Sequence, residues 1–346
     1  MKTVFVGMSG GVDSSVSVLL LKEQGYNVVG VYMKNWSRDL PGMKCPWAED
    51  LADAKRVAVK LGIPFEIWDF EDAYREKVVE YMLDEFKKGN TPNPDIMCNQ
   101  EIKFKLFYEK AMECGADYIA TGHYARIIDG KLSRAKDENK DQTYFLYRIS
   151  NEALAHTIFP IGDMLKPDVK RLAKEKGLHN AYKKESMGVC FVGEVGMKDF
   201  LKEYIEIQPG EIREIESEKV LGYHEGAVFY TIGQRHGLYL SGVAGKINDG
   251  MPYYVVKKDL KNNVVYVSKN LNDEHIWTKE LDLKDIILRT SNSSNILVRL
   301  RHRAPLIPAK FDGKKLVFES EIKRPAAGQS AVLYDNETCL GGGIIV

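Results

Sequence analysis

The stretch Val4-Phe5-Val6-Gly7-Met8-Ser9-Gly10-Gly11-Val12-Asp13-Ser14-Ser15 constrains this chain more than any other. A β-branched apolar run stops at Gly7, a Ser-Gly-Gly turn follows, and Val16, Val18, Leu19, Leu20 and Leu21 then have the formers of a buried helix. The order is strand, glycine-rich loop, helix. Gly10 and Gly11 accept positive φ and let backbone N–H groups approach a ligand, while Ser9, Ser14 and Ser15 add hydroxyls at the helix's positive end. Such a turn suits phosphate, although the same device also serves purely structural ends.

The loop is not a Walker A motif, which would place a lysine beside the phosphates. It carries an acid, Asp13, instead. A carboxylate repels a polyphosphate unless a divalent cation lies between them, so Asp13 reads as a Mg²⁺ ligand. The run from Ser9 to Ser14 resembles the pyrophosphate loop of enzymes that split ATP between its α and β phosphates.

Residues 1 to about 125 alternate short apolar runs with helical stretches. Strands are expected at 3–8, 27–33, 64–69 and 117–121, and helices at 14–25, 48–61, 71–88 and 101–114. This is the pattern of a doubly wound α/β parallel sheet, whose strand ends gather Met33 and Gly122-His123 beside the first loop. Each has a bland reading too: Met33 as core, Gly122 as a turn glycine, His123 as a capping or solvent-facing histidine.

In Asn90-Thr91-Pro92-Asn93-Pro94-Asp95-Ile96-Met97-Cys98-Asn99 two prolines predict an extended, stiff loop that presents Asp95 and Cys98. A lone cysteine is usually a small buried hydrophobe, but one just before a helix start at Asn99 would have its thiol pKa lowered. Residues 126–142 form a charged excursion ending in Lys140-Asp141-Gln142, followed by Tyr144, Phe145 and Tyr147. Helices are expected at 151–156 and 167–177. Cys190 lies in an apolar run between Gly188 and Gly193, where a buried structural cysteine is the plainer expectation.

From Pro209-Gly210 onward the texture is mostly β, with runs at 219–223, 227–232, 252–257, 263–268, 296–301, 314–318 and 330–334 between turn residues. The expected division is 1–205, 206–272 and 273–346, the last a six-stranded barrel. Arg299, Arg301 and Arg303 would share one face of a strand, with His302 opposite: a phosphate stripe or merely a solvated face. Lysine plus arginine balance aspartate plus glutamate at 49 each, so any polyanion site must be a local patch. Five scattered cysteines without a Cys-x-x-Cys indicate neither a disulfide framework nor structural zinc. With no long apolar run, a soluble, cytoplasmic protein is expected.

Taken together, Gly-Met-Ser-Gly-Gly-Val-Asp-Ser, Thr-Pro-Asn-Pro-Asp-Ile-Met-Cys-Asn, Ala-Thr-Gly-His-Tyr-Ala, Lys-Asp-Gln-Thr-Tyr-Phe-Leu, Gly-Val-Cys-Phe-Val-Gly and Tyr-Thr-Ile-Gly-Gln-Arg resemble the tRNA-specific 2-thiouridylases of bacteria and organelles. The similarity runs from the first strand to the closing Cys-Leu-Gly-Gly-Gly-Ile-Ile. It implies an adenine nucleotide alpha hydrolase-like catalytic domain followed by two small β units. The implied enzyme replaces the C2 oxygen of the wobble uridine, U34, with sulfur in tRNAs for Lys, Glu and Gln. By motif match, ATP would be bound by Gly7, Met8, Ser9, Gly10, Gly11, Val12, Asp13, Ser14, Met33 and Gly122. The target base would meet Asn93, Pro94 and Asp95, with Cys98 as nucleophile and Cys190 as persulfide carrier. Contacts to tRNA would come from His123, Lys140, Asp141, Gln142, Arg301, His302 and Gln329. The chain departs from the family at Glu185-Ser186-Met187, commonly Asp-Ser-Thr, and at His302, commonly Tyr.

The implied chemistry needs these residue types. Uridine O2 is a poor leaving group until ATP makes it an adenylate, with Mg²⁺ and backbone donors absorbing the charge of departing pyrophosphate. Asp95 would move protons near a base flipped out of its stack. Sulfur would come either by direct attack of a Cys190 persulfide, supplied by a cysteine desulfurase or relay protein, or as hydrosulfide liberated by Cys98. The rival readings are a pyrophosphate-loop enzyme adenylating a small substrate for amide or C–N bond formation, and a non-catalytic RNA-binding protein. The sulfur donor, the oligomeric state and any iron–sulfur cluster are not legible in the residues.

Overall fold

The computed structural model describes residues 1–39, 45–184, 197–238, 240, 252–270, 275–289 and 295–346. Cys190 and the Glu185-Ser186-Met187 departure lie outside them. The first strand, β1 (Thr3–Gly7), enters α1 (Val12–Glu23) through the glycine-rich turn, and β2 (Asn27–Lys34), α2 (Trp47–Leu61) and β3 (Phe65–Asp69) follow. The expected helix over 71–88 is three segments, α3 (Glu71–Tyr74), a π-helical Arg75–Glu80 and α4 (Tyr81–Lys87).

The proline-rich segment departs from expectation. Instead of staying extended it forms α5 (Pro94–Met97), because Pro94 occupies the first helical turn, where its missing N–H costs nothing, and the Asn93 side chain accepts from Ile96 N as the cap. A π-helical Cys98–Leu106 and α6 (Phe107–Glu113) complete what was expected to begin at 101.

After β4 (Tyr118–Thr121) the charged excursion folds into a hairpin, β5 (Ala125–Ile128) and β6 (Lys131–Arg134), rather than a loop. The aromatic run becomes α7 (Thr143–Leu146), followed by α8 (Asn151–Ala155), β7 (Thr157–Ile158), α9 (Lys166–Glu175) and α10 (Met197–Tyr204). The parallel sheet runs β3-β2-β1-β4-β7. Its central strands are apolar on both faces because helices cover both, with Val4 and Val6 on one core and Phe5 on the other.

The second half contains β8 (Gly210–Glu214), β9 (Val220–His224), β10 (Tyr254–Asp259) and β11 (Val264–Ser268), arranged β10-β11-β8-β9. The expected strand over 227–232 is instead a 3₁₀ turn at Ala227–Phe229, which packs Ala227 and Tyr230 onto this sheet's core. The chain ends in β12 (Trp277–Leu288), β13 (Asn295–Arg299), β14 (Ile307–Phe311), β15 (Lys315–Lys323), β16 (Ser330–Asp335) and β17 (Thr338–Ile345). These six close into a barrel through β12 pairing with β17, as expected, and β6 adds to β17 through Ser133 and Thr338.

The barrel and the parallel sheet share one core: Tyr144, Leu146 and Tyr147 pack with Val332, Tyr334 and Cys339. Tyr144 and Tyr147 hydroxyls bond Ser330 at 3.0 Å each, and Arg289 of the barrel donates to the carbonyls of Tyr147 and Ile149 at 3.0 and 2.8 Å. Among the described residues no helix is long and apolar enough to cross a membrane.

Candidate active site

At the carboxyl end of β1, Gly10 has φ 75° and lies against the first turn of α2: a Cβ there would meet the Asp50 carbonyl oxygen at 2.3 Å. Only glycine fits. Gly11 stands at the N-cap of α1 and, having no side chain, offers no capping hydrogen bond to the first-turn N–H groups. Ser9 and Ser14 hydroxyls lie 3.4 Å apart, and Asn180 steadies the turn by donating to Gly10 O and Ser15 Oγ, both at 2.9 Å. Met8 and Val12 are buried below. The other expected nucleotide residues are brought here: a Cβ on Gly7 would strike Met33 Cε at 2.8 Å, and one on Gly122 would stand 2.6 Å from Ser14 N.

Asp13 has a partner that sequence reasoning missed. Lys166 Nζ, from the start of α9, donates to both Asp13 carboxylate oxygens at 2.7 Å, and Tyr124 OH donates at 3.1 Å. The loop therefore has a lysine, delivered from elsewhere. No group of three His, Cys, Asp or Glu side chains converges among the described residues, so Asp13 offers a metal one carboxylate that an ammonium already holds. This donor set fits Mg²⁺ only as an ion carried with a polyphosphate, its usual manner of binding.

Asp95 and Cys98 do not project from a loop. Cys98 is 4% exposed, one turn inside the helical run, in a core with Cys45, Tyr74 and Phe200, so the expected placement at a helix start is corrected. Asp95 is half-buried in the first turn of α5, and burial raises its carboxyl above the usual range against the lowering charge of Lys103. Burial also holds the His123 imidazole well below its ordinary value, with Lys103 adding to the effect, so His123 is neutral at pH 7. Its Nδ1 lies 2.8 Å from Thr121 Oγ1 and its ring packs on Phe104.

The expected tRNA residues divide. Asp141 is buried and accepts from Arg299 Nη1 at 2.6 Å and from Thr143 Oγ1 at 2.9 Å. Gln142 brackets Tyr124, its Oε1 accepting from Tyr124 N at 2.8 Å. The arginine stripe does not exist: β13 ends at Arg299, which is buried in the Asp141 pair, while Arg301 and Arg303 are exposed in the following turn, Arg303 at φ 62°. The His302 ring packs tilted against Phe145 with centroids 4.6 Å apart, and burial pushes its imidazole down to about 4. Gln329 of the barrel donates to Thr91 O at 2.6 Å, and Thr91 N donates to Ala327 O at 2.7 Å.

These contacts form one path. Gly122 touches the loop, His123 meets Phe104, Asn99 donates to Phe145 O at 3.3 Å, and Phe145 meets His302 beside Arg301 and Lys140. Fold and site define a nucleotide-type parallel-sheet domain carrying a pyrophosphate loop, joined to two small β units. Family models match throughout: a tRNA methyl transferase HUP domain over residues 2–194, a tRNA methyl transferase PRC-barrel domain over 198–269 and an aminomethyltransferase β-barrel domain over 275–345. Curated relatives include tRNA-specific 2-thiouridylase MnmA 2 of Geobacillus kaustophilus, 46% identical, covering 99% of this chain and 94% of the relative. The tRNA-specific 2-thiouridylases MnmA of Listeria monocytogenes and Idiomarina loihiensis are 46% and 47% identical over 99% of this chain and 94% and 96% of theirs. A solved 4-thiouridine synthetase–RNA complex with bound ATP is 20% identical, covering 53% of this chain and 43% of that one, at a TM-score of 0.38. The chain belongs to the tRNA-specific 2-thiouridylase family.

Proposed function

We infer that this protein uses ATP to thiolate C2 of the wobble uridine, U34, in tRNAs for Lys, Glu and Gln, with sulfur delivered through a Cys190 persulfide. The observation that supports it best is the contiguous path from the glycine-rich loop through His123 and the Asp95–Cys98 turn to the barrel's His302 and Gln329. A small-substrate adenylating enzyme would have no use for that extension. Division of the chain at 1–205, 206–272 and 273–346 gives the chemistry to the first unit and RNA contacts to the last.

Uridine O2 attacks the α-phosphorus and pyrophosphate leaves, its charge met by first-turn N–H groups of α1 and by Ser9 and Ser14. Asp13 would be the side chain that holds Mg²⁺ arriving with the polyphosphate, and the ion would supply further charge neutralisation. Asp95, whose carboxyl burial raises above its ordinary value and so makes a stronger base, accepts as a carboxylate the N3 proton whose loss makes O2 nucleophilic. Neutral His123 and His302 stack or hydrogen-bond rather than pair with phosphate, which leaves Arg301 and Lys140 as the cations for the tRNA backbone. Sulfur then attacks C2 and AMP departs. Whether the persulfide or freed hydrosulfide attacks, the sulfur atom leaves Cys190, and Cys98 and Cys190 end as a disulfide that a cellular thiol must reduce. A cysteine desulfurase or sulfur-relay protein reloads Cys190, and a cytoplasmic location suits an enzyme that works on tRNA.

Mercury-gel retardation of tRNA tests the assignment with Cys98→Ser and Cys190→Ser. Neither should thiolate, while Cys190→Ser should still release pyrophosphate in the presence of tRNA. Thiolation at the wild-type rate by either variant would overturn the two-cysteine mechanism, and no thiolation of tRNA by the wild type would return the small-substrate reading to first place.

A further inference from the structure

None of the residues assigned to nucleotide, base or tRNA lies in the central sheet β8–β11, and the motif Tyr230-Thr231-Ile232-Gly233-Gln234-Arg235 that packs beside it has no part in the chemistry. What this unit touches is Gly89-Asn90-Thr91, the segment that leaves α4 and leads into the Asp95–Cys98 turn. Gly89 ends the helix at φ 84°, with Asn90 N returning to Glu85 O at 2.9 Å, and its own carbonyl accepts from Lys258 Nζ of β10 at 2.7 Å. A Cβ on Gly89 would stand 2.7 Å from Leu260 Cδ1, so the end of the same strand lies flush on the glycine. Two residues on, Thr91 Oγ1 meets Thr231 Oγ1 at 3.4 Å, while the barrel takes the Thr91 backbone. Lys258 is a costly choice for a mere brace. Among the described residues its ammonium meets no carboxylate, only that neutral carbonyl, and burial pushes it down to about 8. An apolar side chain would join the two units at a smaller desolvation cost.

We propose that the central β unit is a clamp on the catalytic turn, with Lys258 and Thr231 as positioning residues that hold Gly89–Thr91 so that Asp95 and Cys98 stand in register with the target base. An ammonium suits the task because the carbonyl it holds belongs to a helix end, where the negative end of the dipole attracts a cation, and because a charge-assisted hydrogen bond is stronger than a neutral one. The strap has little slack. Pro92 and Pro94 restrict the residues that join Thr91 to Asp95, so a displacement at Gly89 reaches the turn instead of being absorbed on the way. The inference rests on the assignment of Asp95 and Cys98 to the reaction.

Two measurements on the full-length protein, at a temperature where every variant is folded, test it: steady-state pyrophosphate release with tRNA, and iodoacetamide labelling of Cys98 followed by mass spectrometry. Lys258→Met keeps the apolar stem and removes the donor. It should lower kcat by about tenfold or more with KM for tRNA within about twofold of wild type, because a small misplacement of reacting groups slows the chemistry without weakening binding. Cys98, buried in the wild type, should label faster, while Cys339 in the core shared with the barrel labels at the wild-type rate. Lys258→Arg should restore much of both. Thr231→Val breaks the neighbouring contact without touching the charge, so it serves where Lys258→Met fails to fold, and it should show the same split at smaller size. Wild-type kcat in the folded variants, or a loss of kcat in which Cys339 labelling rises in step with that of Cys98, overturns the clamp. Absence of pyrophosphate release by the wild type would instead overturn the assignment of the reaction, and Cys98 labelling would still decide the clamp.

Discussion

Asp95 shows how one side chain can trade stability for chemistry. Its folded-state carboxyl is raised by burial above the ordinary value of about 3.9. A group raised in this way favours the fold when protonated, so its contribution is full below the unfolded value and is lost as pH rises through the folded one. Asp95→Asn should therefore match wild type in melting temperature near pH 4, exceed it by a few degrees at pH 7, and still fail to thiolate. Equal pH dependence of melting in the two proteins would show that Asp95 carries no buried-charge penalty. Cys45 and Cys339 have no such role: burial raises the Cys45 thiol, and pushes that of Cys339 up to about 11, which makes both poor nucleophiles.

Among the elements, the turn before β16 joins the barrel to the segment that carries Asp95 and Cys98. Gly328 has φ 88°, and a Cβ there would stand 2.9 Å from Asn90 Cβ and 3.0 Å from Thr91 N. That approach lets Ala327 and Gln329 take both backbone hydrogen-bonding groups of Thr91. Gly328→Ala should lower unfolding free energy by about 2 kcal/mol, the usual cost of a strained backbone, with an unchanged denaturant m-value and slower thiolation. An unaltered midpoint in a urea titration would mean that the turn does not hold α5 in place.

Across the whole molecule, two arginines near each other in the chain should behave oppositely. Arg299 and Asp141 form a buried pair between β13 and the residue preceding Gln142, fastening the barrel to the hairpin region. Arg299→Met removes the nearer of the two arginines on Asp141, leaving Arg134 Nε at 3.8 Å, and should cost about 3 kcal/mol, whereas adding Asp141→Asn should return much of it. Arg301 is exposed, so Arg301→Ala should leave stability within about 0.5 kcal/mol of wild type. Its effect belongs to tRNA binding, where the salt dependence should fall by about one phosphate contact, read from affinities across a salt series. A salt slope identical to wild type would make Arg301 part of a solvated surface only.

Local signals were legible wherever a few consecutive residues decide the outcome. The strand, turn and helix around Gly10, the period-two runs of the barrel and the helix closing at Gly177 follow from dihedral preference and hydrophobic spacing alone. One local signal misled, since Pro94 reads as a helix breaker although it starts a helix, and another stretch carried no strand signal, the glycines Gly341, Gly342 and Gly343 that lie in β17. Those glycines are there because Ile287 O and Ala331 O stand 2.0 and 2.3 Å from where Cβ atoms of Gly341 and Gly342 would be, a crowding created by the β12 and β16 neighbours of β17. The same holds for charge. Sequence shows that Asp13, Asp141, Arg299 and Lys166 exist, but the energy of each depends on burial and on a partner from 153 or 158 residues away. Backbone preference acts over a turn or two of chain, whereas electrostatics and packing act through space, so the folded chain alone decided which charges face ligand and which hold the domains together.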